Sequence, residues 1–230
     1  MKRVLGIEEA WVENAVYFSS SRDNDANPGR AWNFGVQWDA ALSEHWGSEV
    51  DAPGLLAQQP LGRAPSALAP ITIGLKYVPL QWDDGESAGV LGAEVEGSWW
   101  ASPQPVNFPG VGSNIAGQIL VGIRRGRYWI QGEYGASRRV KADARSGWFA
   151  DSALGYRMSE DWVVQIEIDL NRTSVDALGH TASSATLTPQ VGWQIDPAWQ
   201  LVLGESIGRI QGAYSVMTDV LLEYGFDESR

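Results

Sequence analysis

Residues 161–174 read DWVVQIEIDLNRTS, with Trp162, Val164, Ile166, Ile168 and Leu170 on one parity and Val163, Gln165, Glu167, Asp169 and Asn171 on the other. Successive side chains of a strand point to opposite faces, so this period of two predicts a strand with one apolar and one mostly polar face. The pattern recurs. Trp32, Phe34, Val36, Trp38, Ala40 and Leu42 oppose Asn33, Gly35, Gln37 and Asp39; Leu91, Ala93, Val95, Gly97 and Trp99 oppose Glu94, Glu96 and Ser98. Tyr128, Ile130, Gly132, Tyr134 and Ala136 oppose Trp129, Gln131 and Glu133, and Tyr214 to Phe226 alternate against Ser215, Met217, Asp219, Leu221 and Glu223. Such runs predict about twelve strands of roughly ten residues, the length a tilted strand needs to cross a bilayer. Residues 7–19 carry no decisive phase, and Glu205 interrupts the apolar face of residues 199–207.

The connections alternate in length. Short ones are LSEH (42–45), RRGR (124–127), RMSED (157–161) and IDPA (195–198), with PLQWDDGES (79–87) slightly longer. Between them lie longer polar and Gly/Pro-rich stretches at 21–30, 52–70, 102–114, 138–147 and 172–184. An even strand number with short turns on one rim and long loops on the other is the pattern of an outer-membrane barrel. A Greek-key sandwich has no reason to alternate so strictly.

Aromatic residues mark one rim. Trp38, Trp46, Tyr77, Tyr128, Tyr156, Trp162, Trp193 and Trp199 flank the short turns, Tyr224 and Phe226 close the last strand, and all fall on the apolar face within a few residues of the short-turn rim. Amphipathic rings favour headgroup depth, so these residues form the expected membrane-interface girdle. Core aromatics of a soluble sandwich would not collect at one end of every hairpin.

Composition narrows the classes further. Lys+Arg 17 against Asp+Glu 28 gives a formal charge of −11, which opposes nucleic-acid binding, since that needs clustered cations. Cys 0 excludes disulfides, thiolate metal sites and cysteine nucleophiles. No apolar run approaches the roughly 18 residues of a membrane helix. No apolar segment precedes Glu8 and Glu9, so a mature chain without signal peptide is expected, in the bacterial outer membrane. Trp 12 also suits a soluble carbohydrate-binding β-sandwich, and composition alone does not separate the two.

At this point the pieces ITIGLKYVP (71–79), SALGYRMSEDW (152–162), ATLTPQVGWQIDPAWQLVLG (185–204) and LLEYGF (221–226) carry a resemblance. The chain resembles the outer-membrane transporter family named for the MetA pathway of phenol degradation. That resemblance implies a Gram-negative outer-membrane β-barrel transporter with periplasmic short turns. The tail DESR (227–230) departs from it, because such barrels usually end at the aromatic residue.

The expectation is therefore one all-β domain over residues 1–230: a transmembrane, antiparallel, up-and-down β-barrel of about twelve strands with short periplasmic turns and longer extracellular loops. Its pore lining would be Asp39, Glu49, Lys76, Glu94, Glu96, Arg124, Arg127, Glu133, Asp151, Arg157, Gln165, Glu167, Asp169, Gln190, Asp219 and Glu223, joined by Gln118 and Gln131. Carboxylates dominate, which favours cations or neutral solutes; aromatic solutes are a further expectation, in keeping with the resemblance. The other readings are a plugged barrel that holds a protein partner, with Arg124, Arg127 and Arg157 paired to carboxylates, or the soluble sandwich.

Enzymatic chemistry is poorly supported. His45 and His180 fall on opposite rims, Glu94/Glu96 and Glu167/Asp169 are what any acidic lumen gives, and the GVGSNIAG run (110–117) reads as loop glycine without a nucleotide-cradle context. His180 with Ser183 or Ser184 is the one residual hydrolase pairing. No cofactor and no metal are expected. Membrane lipids and lipopolysaccharide are expected partners, the latter through Arg138, Arg139, Lys141 and Arg145.

Overall fold

The structure, a computed structural model, describes residues 12–23, 29–60, 66–68, 70–99, 113–140, 146–174, 181–210 and 213–226. The strands are β1 (Ala15–Asp23), β2 (Gly29–Ala41), β3 (Trp46–Pro60), β4 (Ser66–Leu68), β5 (Ile71–Asp83), β6 (Ser87–Trp99) and β7 (Asn114–Arg125). They continue as β8 (Tyr128–Arg139), β9 (Ser146–Arg157), β10 (Trp162–Ser174), β11 (Thr181–Gln194), β12 (Trp199–Ile210) and β13 (Ala213–Gly225). Each long strand pairs antiparallel with the next, and β1 pairs with both β2 and β13, so the sheet closes on itself. β4 is a three-residue addition to the loop end of β3, at Leu55, Leu56 and Ala57, which leaves twelve staves. Closure removes the two facing sheets that a sandwich requires, and with them the sandwich reading.

Alternation sorts the two walls. On β10, Ile166 and Ile168 are 49% and 48% exposed on the outside, whereas Gln165 and Glu167 between them are 4% and 2% exposed on the inside. Inverted hydrophobicity of this kind leaves the apolar wall bare and the polar wall covered.

Turn chemistry explains the short rim. Ser43 Oγ accepts from His45 N and Trp46 N, and Ser159 Oγ accepts from Asp161 N and Trp162 N. Asp196 Oδ1 accepts from Ala198 N and Trp199 N, both at 2.9 Å. Each is a side-chain-capped turn that sets a Trp at the start of the next strand. The fourth, at Asp84, accepts from Ser87 N at 2.6 Å, beside Gly85 at φ 87°. The fifth turn holds Gly126 at φ 58°, a conformation that glycine adopts without strain.

The girdle forms as cross-strand pairs. Trp46 faces Tyr77 with ring centroids 4.5 Å apart, Tyr128 faces Tyr156 at 4.8 Å, Trp162 stacks on Trp193 at 5.8 Å, and Trp199 meets Tyr224 at 4.6 Å. Phe226 extends this row from Tyr224 at 4.9 Å, and Trp38 lies outward at 55% exposure.

Strands run further than the alternation indicates. Residues 114–117, 138–139, 146–147, 172–174 and 181–184 are strand rather than loop, and β3 continues to Pro60. Antiparallel ribbons keep their ladder hydrogen bonds beyond the apolar band, where polar side chains no longer report the pairing. The connection expected over 79–87 is shorter for a related reason. β5 reaches Asp83, and a register shift between Tyr77 and Leu80 absorbs Pro79, which has no N–H to give to a ladder.

Candidate functional site: the lumen

The lumen is built from inward positions on every stave. Asp39 (β2), Glu49 (β3), Lys76 (β5), Glu94 (β6), Glu133 (β8), Gln165 and Glu167 (β10) and Gln190 (β11) are buried on the inner wall, as are Gln118 and Gln131. Glu96, Asp151, Asp169, Asp219 and Glu223 share that parity and are half-buried. Arg124 and Arg157 also point inward, at the short-turn ends of β7 and β9. Arg127 does not line the lumen. It occupies the tight turn after Gly126, exposed, with Nη1 3.4 Å from the Met158 carbonyl. The positive φ of Gly126 reverses the chain before Arg127 can take an inward position.

Hydrogen bonds tie the wall together. Gln165 Nε2 donates to Gln190 Oε1 at 2.6 Å, and Gln190 Nε2 donates to Glu167 Oε2 at 2.7 Å. Gln118 Nε2 donates to Glu94 Oε2 at 3.1 Å and Glu96 Oε1 at 3.3 Å. Thr188 and Ser206 hydroxyls lie 2.9 Å apart, and Ser206 Oγ donates to Asp219 Oδ2 at 2.6 Å. Lys76 is the register partner of Glu94, an opposite-charge pair across two strands. Near the short-turn rim, Arg124 Nη2 reaches both oxygens of Asp83, at 3.1 and 3.0 Å.

Like charges stand directly opposite one another in two rows, Asp39 with Glu49 on β2 and β3 and a longer one on β8 to β10. Glu133, Asp151 and Asp169 are successive register partners on β8, β9 and β10. Like charges directly opposite one another destabilise a sheet, so this row stores negative potential facing the lumen. Asp151, Glu167, Asp169 and Asp219 line a space of about 390 Å³ there. A larger space of about 1140 Å³ opens at the short-turn mouth, between Glu13, Gln81, Asp83 and Glu223.

Alternation alone does not reveal the apolar part of this wall. Val78, Val90 and Leu120 form one buried inward cluster with Val12 packed on it; Ala15, Tyr17, Val202 and Leu221 form another. Trp129 is also inward and buried, its ring occupying the space a side chain on Gly155 would need. The signal was present at Val163 and Leu221, apolar residues on otherwise polar faces.

The hydrolase pairing falls partly outside the described residues. His180 lies outside the described residues, Ser183 points outward and Ser184 inward on β11, and His45 sits in a turn with Nδ1 2.8 Å from the Val78 carbonyl. Lys141 and Arg145 and the 227–230 tail also lie outside the described residues.

Solved structures with the same architecture are outer-membrane proteins. An outer membrane channel from Pseudomonas putida F1 superposes with a TM-score of 0.68 at 10% identity, covering 98% of this chain and 100% of that one. The NanC porin gives 0.63 at 9% identity over 92% and 100%, and the KdgM porin 0.55 at 11% over 93% and 99%. The chain has the fold of an outer-membrane β-barrel. No protein-family model matches it, and neither does any curated protein.

Proposed function

We propose that this barrel is a narrow outer-membrane channel that passes small cations or neutral solutes, its short turns periplasmic and its long loops outside. The observation that carries the reading is the sorting of charge. Among the described side chains the strand carboxylates turn inward, Glu205 excepted, and Glu133, Asp151 and Asp169 stand side by side where they attract counter-ions. The fold likeness to porins and to a channel supports it, as do the apolar outer wall and the aromatic girdle. The short motifs at 71–79, 152–162, 185–204 and 221–226 support placing the chain beside the MetA pathway family within this architecture.

Buried inner-wall side chains argue for a small bore, and the plugged barrel is the competing reading. Planar-bilayer recording in a salt gradient separates them. The expected result is small unitary conductance with a reversal potential displaced toward the cation equilibrium value. Reconstituted protein without conductance would overturn the channel, and anion preference would overturn the role given to the acidic row.

A further inference from the structure

We propose that the outer groove running from β8 to Glu205 on β12 binds a lipid-soluble amine in its protonated form, an alkylammonium amphipath taken from the bilayer. This rests on the membrane placement above but not on conduction.

Glu205 is out of place on its wall. Among outward strand positions whose side chains are described, it is the single carboxylate. It stands six residues along β12 from Trp199, and on a strand tilted by about 40° that distance rises roughly 15 Å above the girdle, near the middle of the apolar band. Its outward neighbours on the same strand are Leu203 and Ile207, 49% and 48% exposed. An ionisable group at that depth is costly and calls for a partner.

Among the described residues the chain supplies none: Glu205 makes no hydrogen bond or ion pair there. The outward cation in its register row is Arg22, two strands away beyond Thr218. Its guanidinium turns the other way, 5.2 Å from the centre of the Trp32 ring on β2. Arg209 lies four residues further along β12 and is engaged elsewhere.

The surroundings of Glu205 are shaped for a ligand. A groove of about 640 Å³ follows the outside of the sheet, with Tyr128, Tyr156, Ile166, Pro189 and Leu203 on the way to Glu205. That volume falls in the range of small-molecule sites. From β8 to β12 is four inter-strand steps, roughly 19 Å, long enough for a fatty-amine chain. Pro189 marks the deep end. It has no N–H to give, and the β11–β12 backbone ladder keeps its phase from Leu187 with Ile207 to Gln190 with Gly204 while pairing neither Thr188 with Ser206 nor Pro189 with Glu205. A carboxylate and a break in the ladder therefore coincide, in a solvent that offers no hydrogen bonds.

Charge and apolar walls specify the ligand together. An ammonium group carries three donors, and its attraction to a carboxylate strengthens as the dielectric falls. Hydrocarbon on the same molecule fills the groove, which a hydrated metal ion cannot do. Tyr128 and Tyr156, with ring centroids 4.8 Å apart in the girdle, offer a cation aromatic contact on the way from headgroup depth.

The test uses the whole chain in nanodiscs of zwitterionic lipid, titrated in separate series with dodecylamine or dodecanol at neutral pH and read by native mass spectrometry. Wild type should bind the amine roughly tenfold more tightly, the scale of one charge-assisted hydrogen bond. Glu205→Gln should lose that preference and keep its fold. Equal binding of amine and alcohol by wild type, or an undiminished preference in Glu205→Gln, overturns the proposal. Displacement by excess aqueous methylammonium, which enters the lumen and not the hydrocarbon, places the amine among the inward carboxylates and overturns the groove site. A wild-type dimer that excludes the amine makes the groove a contact between copies and overturns the ligand. If Glu205→Gln lacks the heat-shifted band of a folded barrel, Val191→Trp fills the groove with the carboxylate intact, and unchanged binding there overturns the site. Protein that never enters the disc overturns the membrane placement as well; protein that enters and shows no preference overturns this proposal alone.

Discussion

Glu167 and Ile168 are neighbours in the chain and opposites in environment, 2% and 48% exposed on the two walls of β10. Ile168→Arg puts a cation into the apolar wall and should cost about 2–4 kcal/mol of barrel stability at mid-depth. Urea unfolding in vesicles reads that loss. Glu167→Gln keeps the shape beside Gln190 and removes the charge, so folded yield should hold while the cation preference falls. Reversal potentials measure the second effect. Glu205 is the informative exception to the sorting: it points outward and, with Pro189 and Thr218, lines an outer groove of about 640 Å³. Carboxylates on a lipid wall are less costly than Arg or Lys but still unfavourable, so Glu205→Leu should stabilise the barrel by about 1–2 kcal/mol in the same assay. Face assignment was legible in the sequence at this scale, because a slip of one residue would invert every side chain. Whether an inward residue meets water or another side chain was not, as Val163 and Leu221 show, because parity carries no information on what stands across the lumen.

At the scale of elements, the short turns were legible for a chemical reason. Ser43, Asp84, Ser159 and Asp196 each stand three residues before a strand start and accept backbone hydrogen bonds from it. Asp196→Ala removes the acceptor of two such bonds and should cost about 1 kcal/mol, since a hydrogen bond contributes roughly 0.5–1.5 kcal/mol net. Equilibrium unfolding of the variant checks it. The Asp84 carboxyl is held below its usual range, first by the Ser87 N–H and then by the Ser87 hydroxyl. A depressed carboxyl contributes above its unfolded-state value and loses the contribution as pH falls through the depressed one, so this turn loosens only in acid. Less legible was β5. Lys76 and Val78 are its inward residues before the shift, and Gln81 and Asp83 after it. The inward parity changes from even to odd across Pro79, and a reader following one parity loses the strand there and sees a long connection. The same shift brings Asp83 within reach of Arg124, an ion pair that depends on both the bulge and the register of β6 with β7.

For the whole molecule, the two inward apolar clusters stand on opposite sides of the ring, one on β5 to β7 and the other on β12, β13 and β1. Residues 12–14 precede β1 yet do not continue it. Val12 reaches the far cluster and the end of β3 near Gly47, while Asn14 Oδ1 accepts from Ala41 N and the Asn14 carbonyl accepts from Phe226 N. Glu13 accepts a hydrogen bond from the Tyr17 hydroxyl. This segment therefore crosses the short-turn mouth, and it explains why residues 7–19 show no strand phase: part of that stretch is not strand. Burial of Val12 against Val78, Val90 and Leu120 is an anchor that hydrophobic transfer supports and a polar side chain forfeits. Val12→Asn should release the segment while leaving the staves, the girdle and membrane insertion unchanged, because none of their ladders includes residue 12. Unitary conductance should rise and cation preference should persist, since the acidic row on β8 to β10 is untouched. Single-channel recording of the variant beside wild type reads both quantities at once. Unchanged conductance would move the constriction from the mouth to the hydrogen-bonded layer of Gln165, Gln190 and Glu167, where Glu167→Gln would then alter conductance as well as selectivity.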